Sequence, residues 1–183
     1  MIKLVMFQTE LFEIYGNELK KGAESLKNDD VAFYSAMTEE LISLSNDIKK
    51  YIQLKTDARD PNKLMKGYVA ANYYFIVNSE NNSVVGLCNI RLSLDAPNLK
   101  NYGGHIGYLI FKQYRGHGYA STACLLSIEE CKKLNINPIM ISCFENNLAS
   151  KKIIEKNGFI FSHTYPYKDE YVSGNMLIYY LNY

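Results

Sequence analysis

A turn punctuated by glycine is the stretch of this sequence best suited to chemistry. It reads Arg115-Gly116-His117-Gly118-Tyr119-Ala120 and connects a predicted strand to a predicted helix. Glycine lets a backbone approach a ligand closely, and the unbonded N–H groups of a first helical turn carry partial positive charge. Such a turn predicts an anion site, most often for phosphate. An ordinary tight connection between strand and helix also needs glycine, and the turn by itself favours neither interpretation.

Two familiar phosphate-binding motifs do not fit this turn. A P-loop requires G-x-x-x-x-G-K followed by Ser or Thr, and that string is absent from the sequence. A dinucleotide fingerprint requires glycine at position 121, which is Ser121, and follows the first strand of a parallel sheet. A small dinucleotide-binding oxidoreductase is therefore a weak alternative.

The elements that position the turn follow from hydrophobic periodicity and from turn residues. Apolar residues recur at helical spacing through the first 55 residues, which predicts helices there. Polar turn residues separate two β-rich runs, at 73–77 and 83–90, which predicts an antiparallel hairpin. Further strands are predicted at 105–111, 138–144, 159–165 and 171–180, and helices begin near Tyr119 and after Asn147. The pattern predicts a mixed α+β fold, with a mostly antiparallel sheet flanked by helices and a helical N-terminal segment.

Length and composition indicate one domain with a full core. The chain has 183 residues, of which 48% are hydrophobic, and its formal net charge is +1. We expect a single domain over 1–183, mostly helical at 1–66 and with its core at 67–183. The near-neutral charge and the lack of a long apolar segment argue against nucleic-acid and membrane partners. The four cysteines lack metal-ligand spacing, so we expect reduced thiols, no metal site and a cytoplasmic protein, either a monomer or a homodimer.

Two separated motifs resemble those of the GNAT superfamily of N-acetyltransferases. The turn from Arg115 to Ala120 matches R-x-x-G-x-A, the loop that binds the acetyl-CoA pyrophosphate in that superfamily. The run Asn147-Leu148-Ala149-Ser150 and the later Asn157-Gly158-Phe159 resemble its N-x-x-A/S helix and the glycine that closes it. With GGHIGY at 103–108 and Asn89-Ile90-Arg91, the chain is most similar to an uncharacterised group of bacterial acetyltransferases.

The resemblance implies acetyl-CoA as co-substrate and suggests which residues contact it. The backbone of Arg115 to Ala120 would hold the pyrophosphate. The strand at Ile110 would pair with the pantetheine arm, where the sheet splays open. Asn147 would contact the coenzyme from the end of the next parallel strand, and Ser150 is a weaker candidate for a contact.

Two residues are candidates for the general base. An amine must lose a proton before it attacks a thioester, because the pKa of a lysine-like ammonium is about 10.4. His105 lies on the strand before the turn, although strand alternation places it on the opposite face from Ile110. A histidine hydrogen-bonded within the sheet is an equally good interpretation. Glu145 is the second candidate, and a solvated loop acid is its simpler interpretation.

The general acid is where the sequence departs from the superfamily. The usual acid is a tyrosine seven residues after the motif asparagine, and that position is Ile154 here. Another tyrosine can substitute, with Tyr108, Tyr165 and Tyr167 as candidates, or the thiolate leaves unaided. We take Tyr108 as the candidate acid.

The resemblance implies an N-acetyltransferase that moves an acetyl group from acetyl-CoA to a primary amine by direct attack. The acceptor is expected to be a small molecule or a peptide. Because Ile154 removes the usual acid, a non-catalytic acyl-CoA-binding module is the alternative.

Overall fold

A mixed arrangement of strands and helices is built from residues 1–27, 29, 36–168 and 173–183, which the computed structural model describes. The strands are β1 Ile2–Met6, β2 Ala71–Asn78, β3 Val84–Arg91, β4 Ile106–Ile110, β5 Ile139–Phe144, β6 Ile160–Lys168 and β7 Ser173–Leu181. The α-helices are α1 Phe12–Lys27, α2 Ala36–Ser43, α3 Ile48–Asp57, α4 Tyr119–Lys133 and α5 Leu148–Lys156. This order confirms the predicted α+β class. Within the described residues, no helix is both long and apolar enough to cross a membrane.

The strands form two antiparallel sheets. The first has the order β1-β2-β3-β4 and the second the order β5-β7-β6. The predicted hairpin is confirmed as β2 and β3, in which Tyr74 pairs with Cys88. The last strand begins at Ser173 in the structure, and the first two residues of its predicted range, 171 and 172, lie outside the described residues.

The N-terminal segment begins with a strand, so the prediction that it is helical from its start is wrong. Ile2–Met6 pairs antiparallel with β2, so that Leu4 lies opposite Ile76. A five-residue run containing a charge shows no clear period, and its partner strand lies on the far side of three helices in sequence. Local periodicity therefore could not reveal this strand.

Helices cover both faces of the first sheet, and alternation along β4 defines the two faces. Ile106 and Ile110 pack with Cys124 of α4 and Ile154 of α5, on what we call the α4 face. Phe111, just after β4, packs on the opposite side against residues of α1 and α3, including Leu19, Tyr51 and Ile52, on what we call the α1 face. The named residues are at most 7% exposed, so each face of the first sheet packs against a buried core.

Strand β6 is an exposed edge of the second sheet. Ile160 and Phe161 are 73% and 50% exposed. The Glu145 N–H donates to the Asn175 carbonyl, which turns the backbone groups of Asn175 toward β5. Pro166 lies opposite Asn175, so its nitrogen faces away from β7, which is where a strand tolerates proline.

Candidate functional site

A cleft opens where the two sheets diverge between β4 and β5. The His105 N–H, just before β4, donates to the Met140 carbonyl of β5 at 2.8 Å. Within the described residues this is the sole backbone hydrogen bond that links the two strands, and they belong to separate sheets. The strands therefore join at their starts and separate toward their ends.

The register of β4 shows which backbone groups face the cleft. In an antiparallel pair, residues bonded to the partner strand alternate with residues whose N–H and C=O point away. The Phe111 N–H donates to the Val85 carbonyl at 3.0 Å, so odd-numbered positions turn toward β3. The backbone groups of Tyr108 and Ile110 therefore face the cleft. They provide an open strand edge that an extended ligand can pair with.

The loop from Arg115 to Ala120 lies at the open end of the cleft, directly before α4. Gly116 and Gly118 have φ angles of 83° and 76°, in the left-handed region that favours glycine. A Cβ added to either glycine would meet no atom within 4 Å, so open space lies against both. The loop thus offers room for a ligand at its backbone.

The amide groups of this loop have no backbone partner in the part of the chain that the structure describes. Gly118 is the N-cap of α4 and provides no side chain to cap the helix. Within the described residues, the N–H groups of positions 116–121 donate to no carbonyl. Nδ1 of His117 lies 2.9 Å from the Arg115 carbonyl, and its ring stacks on Tyr119 at 5.6 Å. Unpaired amides at the start of a 15-residue helix can bind an anion such as a diphosphate.

The Arg115 side chain turns away from the amide groups and holds the loop in place. Its Nε donates to the Ile110 carbonyl at 3.2 Å, which ties the loop to the end of β4. Its Nη2 donates to the Asp29 carboxylate, whose side chain is 3% exposed. Asp29 was missed by the sequence analysis, because no local pattern relates a residue after α1 to a loop 86 positions later.

The start of α5 is built as predicted. Asn147 is its N-cap, and its Oδ1 accepts a hydrogen bond from the Ser150 N–H at 3.1 Å. Gly158, with a φ of 86°, follows the end of the helix, as expected for a left-handed C-terminal residue. Ile154 is fully buried in the core of the α4 face, so the position of the usual tyrosine is filled by a hydrocarbon.

Tyr108 brings a phenol to the same core from β4. Its hydroxyl is buried and makes no hydrogen bond to a described residue. Burial raises the pKa of the Tyr108 phenol well above its usual value, the thiols of Cys124 and Cys143 act in the same direction, and the Ser150 hydroxyl opposes them. The phenol therefore lies between α4, β5 and the first turn of α5, and it holds its proton at neutral pH.

His105 lies at the closed end of the cleft. Its Nδ1 accepts a hydrogen bond from the Met140 N–H at 3.0 Å, which fixes the proton on Nε2. Burial and the neighbouring charge of Arg91 lower the pKa of His105 to about 4. The imidazole is neutral at pH 7, and its one acceptor nitrogen is occupied, so the geometry favours its role in joining the two sheets.

Glu145 lies beyond the opposite end of β5. Its side chain is exposed, and its Oε2 accepts a hydrogen bond from Asn175 Nδ2 at 3.0 Å. The structure thus brings Ile110 and the residues of the Arg115–Ala120 loop together, with Tyr108 earlier on the same strand, and separates His105 from Glu145. The described residues contain no group of three or more His, Cys, Asp or Glu side chains placed to hold a metal ion.

Comparison with known proteins identifies the family. The family model for the acetyltransferase (GNAT) domain matches residues 26–160. The chain belongs to the GNAT acetyltransferase family. No curated protein matches the chain in sequence.

Solved structures of GNAT acetyltransferases share the fold. The microcin C7 self-immunity acetyltransferase MccE, solved with acetyl-CoA and AMP, has a TM-score of 0.71 at 18% identity, covering 100% of this chain and 92% of that one. RimL, a ribosomal L7/L12 α-N-protein acetyltransferase solved with CoA, has a TM-score of 0.67 at 16% identity, covering 99% and 93%. An acetyltransferase from Salmonella typhimurium that modifies the N-terminal serine of L7/L12 has a TM-score of 0.64 at 15% identity, covering 100% and 95%.

Proposed function

We propose that this GNAT protein transfers an acetyl group from acetyl-CoA to a primary amine by direct attack. One observation carries the proposal: the open edge of β4 leads to a loop whose amide groups are unpaired among the described residues and whose two glycines border open space. An extended arm ending in a diphosphate fits that combination. Acetyl-CoA supplies the thioester, and the protein holds the amine and the thioester next to each other. Such positioning accounts for much of the rate of this kind of transfer.

The coenzyme contacts follow from the backbone. The amides of the Arg115–Ala120 loop bind the pyrophosphate, and the N–H groups of Tyr108 and Ile110 pair with the pantetheine arm. The Ile110 carbonyl is already engaged by Arg115, so Ile110 contributes its N–H. Asn147 and Ser150 border the coenzyme from the first turn of α5. MccE and RimL, which share the fold, are solved with acetyl-CoA and CoA respectively, in support of this placement.

The state of the cysteines supports direct attack over an acetyl-enzyme. Burial raises the pKa of the Cys124 thiol to about 12 and that of the Cys143 thiol to about 11. Because the thiolate is the reactive form, both side chains are poor nucleophiles at neutral pH. The amine itself is therefore the nucleophile.

Tyr108 is the proposed general acid for the departing thiolate. Its protonated phenol reaches the core of the α4 face from β4, close to Ser150 in the first turn of α5. The superfamily's tyrosine would enter the same core from α5, at Ile154. A phenol that enters from a different element can supply the same proton.

Glu145 is the better supported of the two candidate bases. Its carboxylate is exposed, and Asn175 engages one of its two oxygens. The acceptor nitrogen of His105 is bonded to the Met140 N–H, so a proton could enter only after that link between the sheets breaks. We assign His105 a positioning role and proton acceptance to Glu145, directly or through water.

The acceptor is proposed to be an amine on a small molecule or a peptide. RimL, which shares the fold, is a ribosomal L7/L12 α-N-protein acetyltransferase, in support of an acceptor amine on a peptide. The alternative, a non-catalytic acyl-CoA-binding module, is favoured by the hydrocarbon at Ile154.

One experiment separates these two functions. CoA binding is measured by calorimetry, and release of CoA thiol from acetyl-CoA is followed against a panel of alkylamines, amino acids, aminoglycosides and peptides. Binding with thiol release for at least one amine supports the transferase. Binding without release above the rate of hydrolysis supports the module, and failure of CoA to bind overturns both.

A further inference from the structure

A glycine in β4 and its cross-strand partner form an unusual pair. Gly107 lies directly opposite Asn89 of β3, and Asn89 is 2% exposed. A Cβ added to Gly107 would lie 2.5 Å from Asn89 Oδ1. The amide of Asn89 therefore lies over the Cα of Gly107, and only glycine at 107 permits this position.

The side-chain amide of Asn89 has no partner among the described residues. Two other buried polar side chains are bonded: Asn78 donates to the Tyr119 hydroxyl at 3.3 Å, and Ser127 donates to the Ala123 carbonyl at 2.8 Å. No corresponding hydrogen bond forms at Asn89 within the described part of the chain. Most buried polar groups are hydrogen-bonded, so the Asn89 amide, which forms no bond to a described residue, is available to bind a ligand group.

The position of this amide matches the path open to an acceptor. The α4 face of β4 is closed by the side chains of α4 and α5, so an amine cannot approach from there. Gly107 and Leu109 of β4, the edge strand of the first sheet, turn to the α1 face and are both partly exposed. Asn89 of β3 faces the same side, and its amide lies over Gly107, one residue before Tyr108.

We propose that Asn89 binds the attacking nitrogen of the acceptor, an inference that rests on the proposed function. Its Oδ1 accepts a hydrogen bond from one N–H of the uncharged amine, and the nitrogen lone pair then points along β4 to the thioester carbon. The lone pair forms the C–N bond, the C–S bond breaks with its electrons on sulfur, the other proton passes from the nitrogen to Glu145 directly or through water, and Tyr108 gives a proton to the sulfur. Asn89 takes no proton, and it favours amines that retain an N–H for this bond.

A bisubstrate derivative tests the proposal without an identified acceptor. The probe is coenzyme A whose sulfur carries –CH2–CO–NH–butyl, so that an N–H stands where the acceptor nitrogen would. Calorimetry gives the dissociation constants of this probe and of CoA for the wild type, Asn89→Ala, Gly107→Ala and the matched control Ser127→Ala. We expect Asn89→Ala to bind the probe about tenfold more weakly, with CoA affinity unchanged.

The companion variants keep the test decisive. Gly107→Ala leaves Asn89 in place but pushes its amide aside, so it should lose probe affinity selectively as well. Ser127→Ala removes a buried hydroxyl on the α4 face and should bind both ligands as the wild type does. Equal probe affinity in Asn89→Ala and the wild type, or no gain of the probe over CoA in the wild type, overturns the proposal for Asn89. Failure of CoA itself to bind the wild type overturns the proposed function.

Discussion

Replacing Asp29 by asparagine tests how the glycine loop is held in place. Asparagine keeps the shape of the side chain and one acceptor oxygen, but it removes the charge that pairs with Arg115. A fully buried ion pair loses about 3–5 kcal/mol when one partner is removed, and an exposed pair at most about 1 kcal/mol. Asp29 is 3% exposed and Arg115 35%, so water reaches one partner only. We expect Asp29→Asn to destabilise the fold by about 2 kcal/mol.

Two measurements follow from that value. For a chain of this length, 1 kcal/mol lowers Tm by about 2–4 °C, so thermal unfolding should shift down by about 4–8 °C. The Arg115 guanidinium also holds the Ile110 carbonyl, so its release should loosen both the loop and the end of β4. The dissociation constant of CoA should rise about threefold to tenfold.

An exposed ion pair provides the matched control. Glu129→Gln removes a pair with Lys132 on the surface of α4, where the side chains are 51% and 39% exposed, and it should change Tm by less than about 1 °C. If Asp29→Asn behaves like this control in both Tm and CoA affinity, Arg115 is not anchored through Asp29. In Asp29→Asn with Arg115→Gln, the combined loss should be smaller than the two single losses added together.

Three further predictions concern the loop, the acid and the sheet junction. Gly118→Ala should weaken CoA binding, measured by calorimetry, at least thirtyfold, which corresponds to about 2 kcal/mol. Gly67→Ala is the control, because Gly67 has a φ of 91° and equally open space beside its Cα. This control should suffer similar backbone strain and leave CoA affinity unchanged. Tyr108→Phe should lower kcat about tenfold with an unchanged dissociation constant for acetyl-CoA, and an unchanged kcat would mean that the thiolate leaves unaided. The pKa of His105 is about 4 in the folded protein and about 6.5 in the unfolded chain, so His105 is protonated in the unfolded chain first as the pH falls. The free energy of unfolding of the wild type should therefore drop by about 3 kcal/mol relative to His105→Asn between pH 6.5 and 4. The free energies of unfolding come from urea denaturation at each pH. A constant difference between the wild type and His105→Asn from pH 6.5 to 4 would contradict that assignment.

Local signals in the sequence were sufficient for the loop and for the elements around it. Glycines that need a positive φ, such as Gly118 and Gly158, mark their positions through residue type. Asn147 caps α5 through a contact three residues away, which a sequence pattern can show. The strand–turn–helix order around the loop follows from the same short-range rules.

Long-range pairings could not be predicted from these signals. Asp29 meets Arg115, and Asn89 lies over Gly107, only because the sheets and helices bring distant segments together. Strand alternation predicts His105 on the opposite face from Ile110, but the bond of His105 to the Met140 N–H depends on where β5 begins. The first strand was missed for the same reason, since β1 is stabilised by its pairing with β2.

Pro166 has a consequence for how copies of this protein meet. A long edge strand such as β6 exposes unpaired backbone groups, with which a strand of a neighbouring chain can pair. The exposed apolar side chains of Ile160 and Phe161 favour such an association further. An incoming strand finds no donor at Pro166, and the irregular register between Phe161 and His163 further breaks the ladder that it would need. These two features oppose the addition of a further strand to the sheet at this edge.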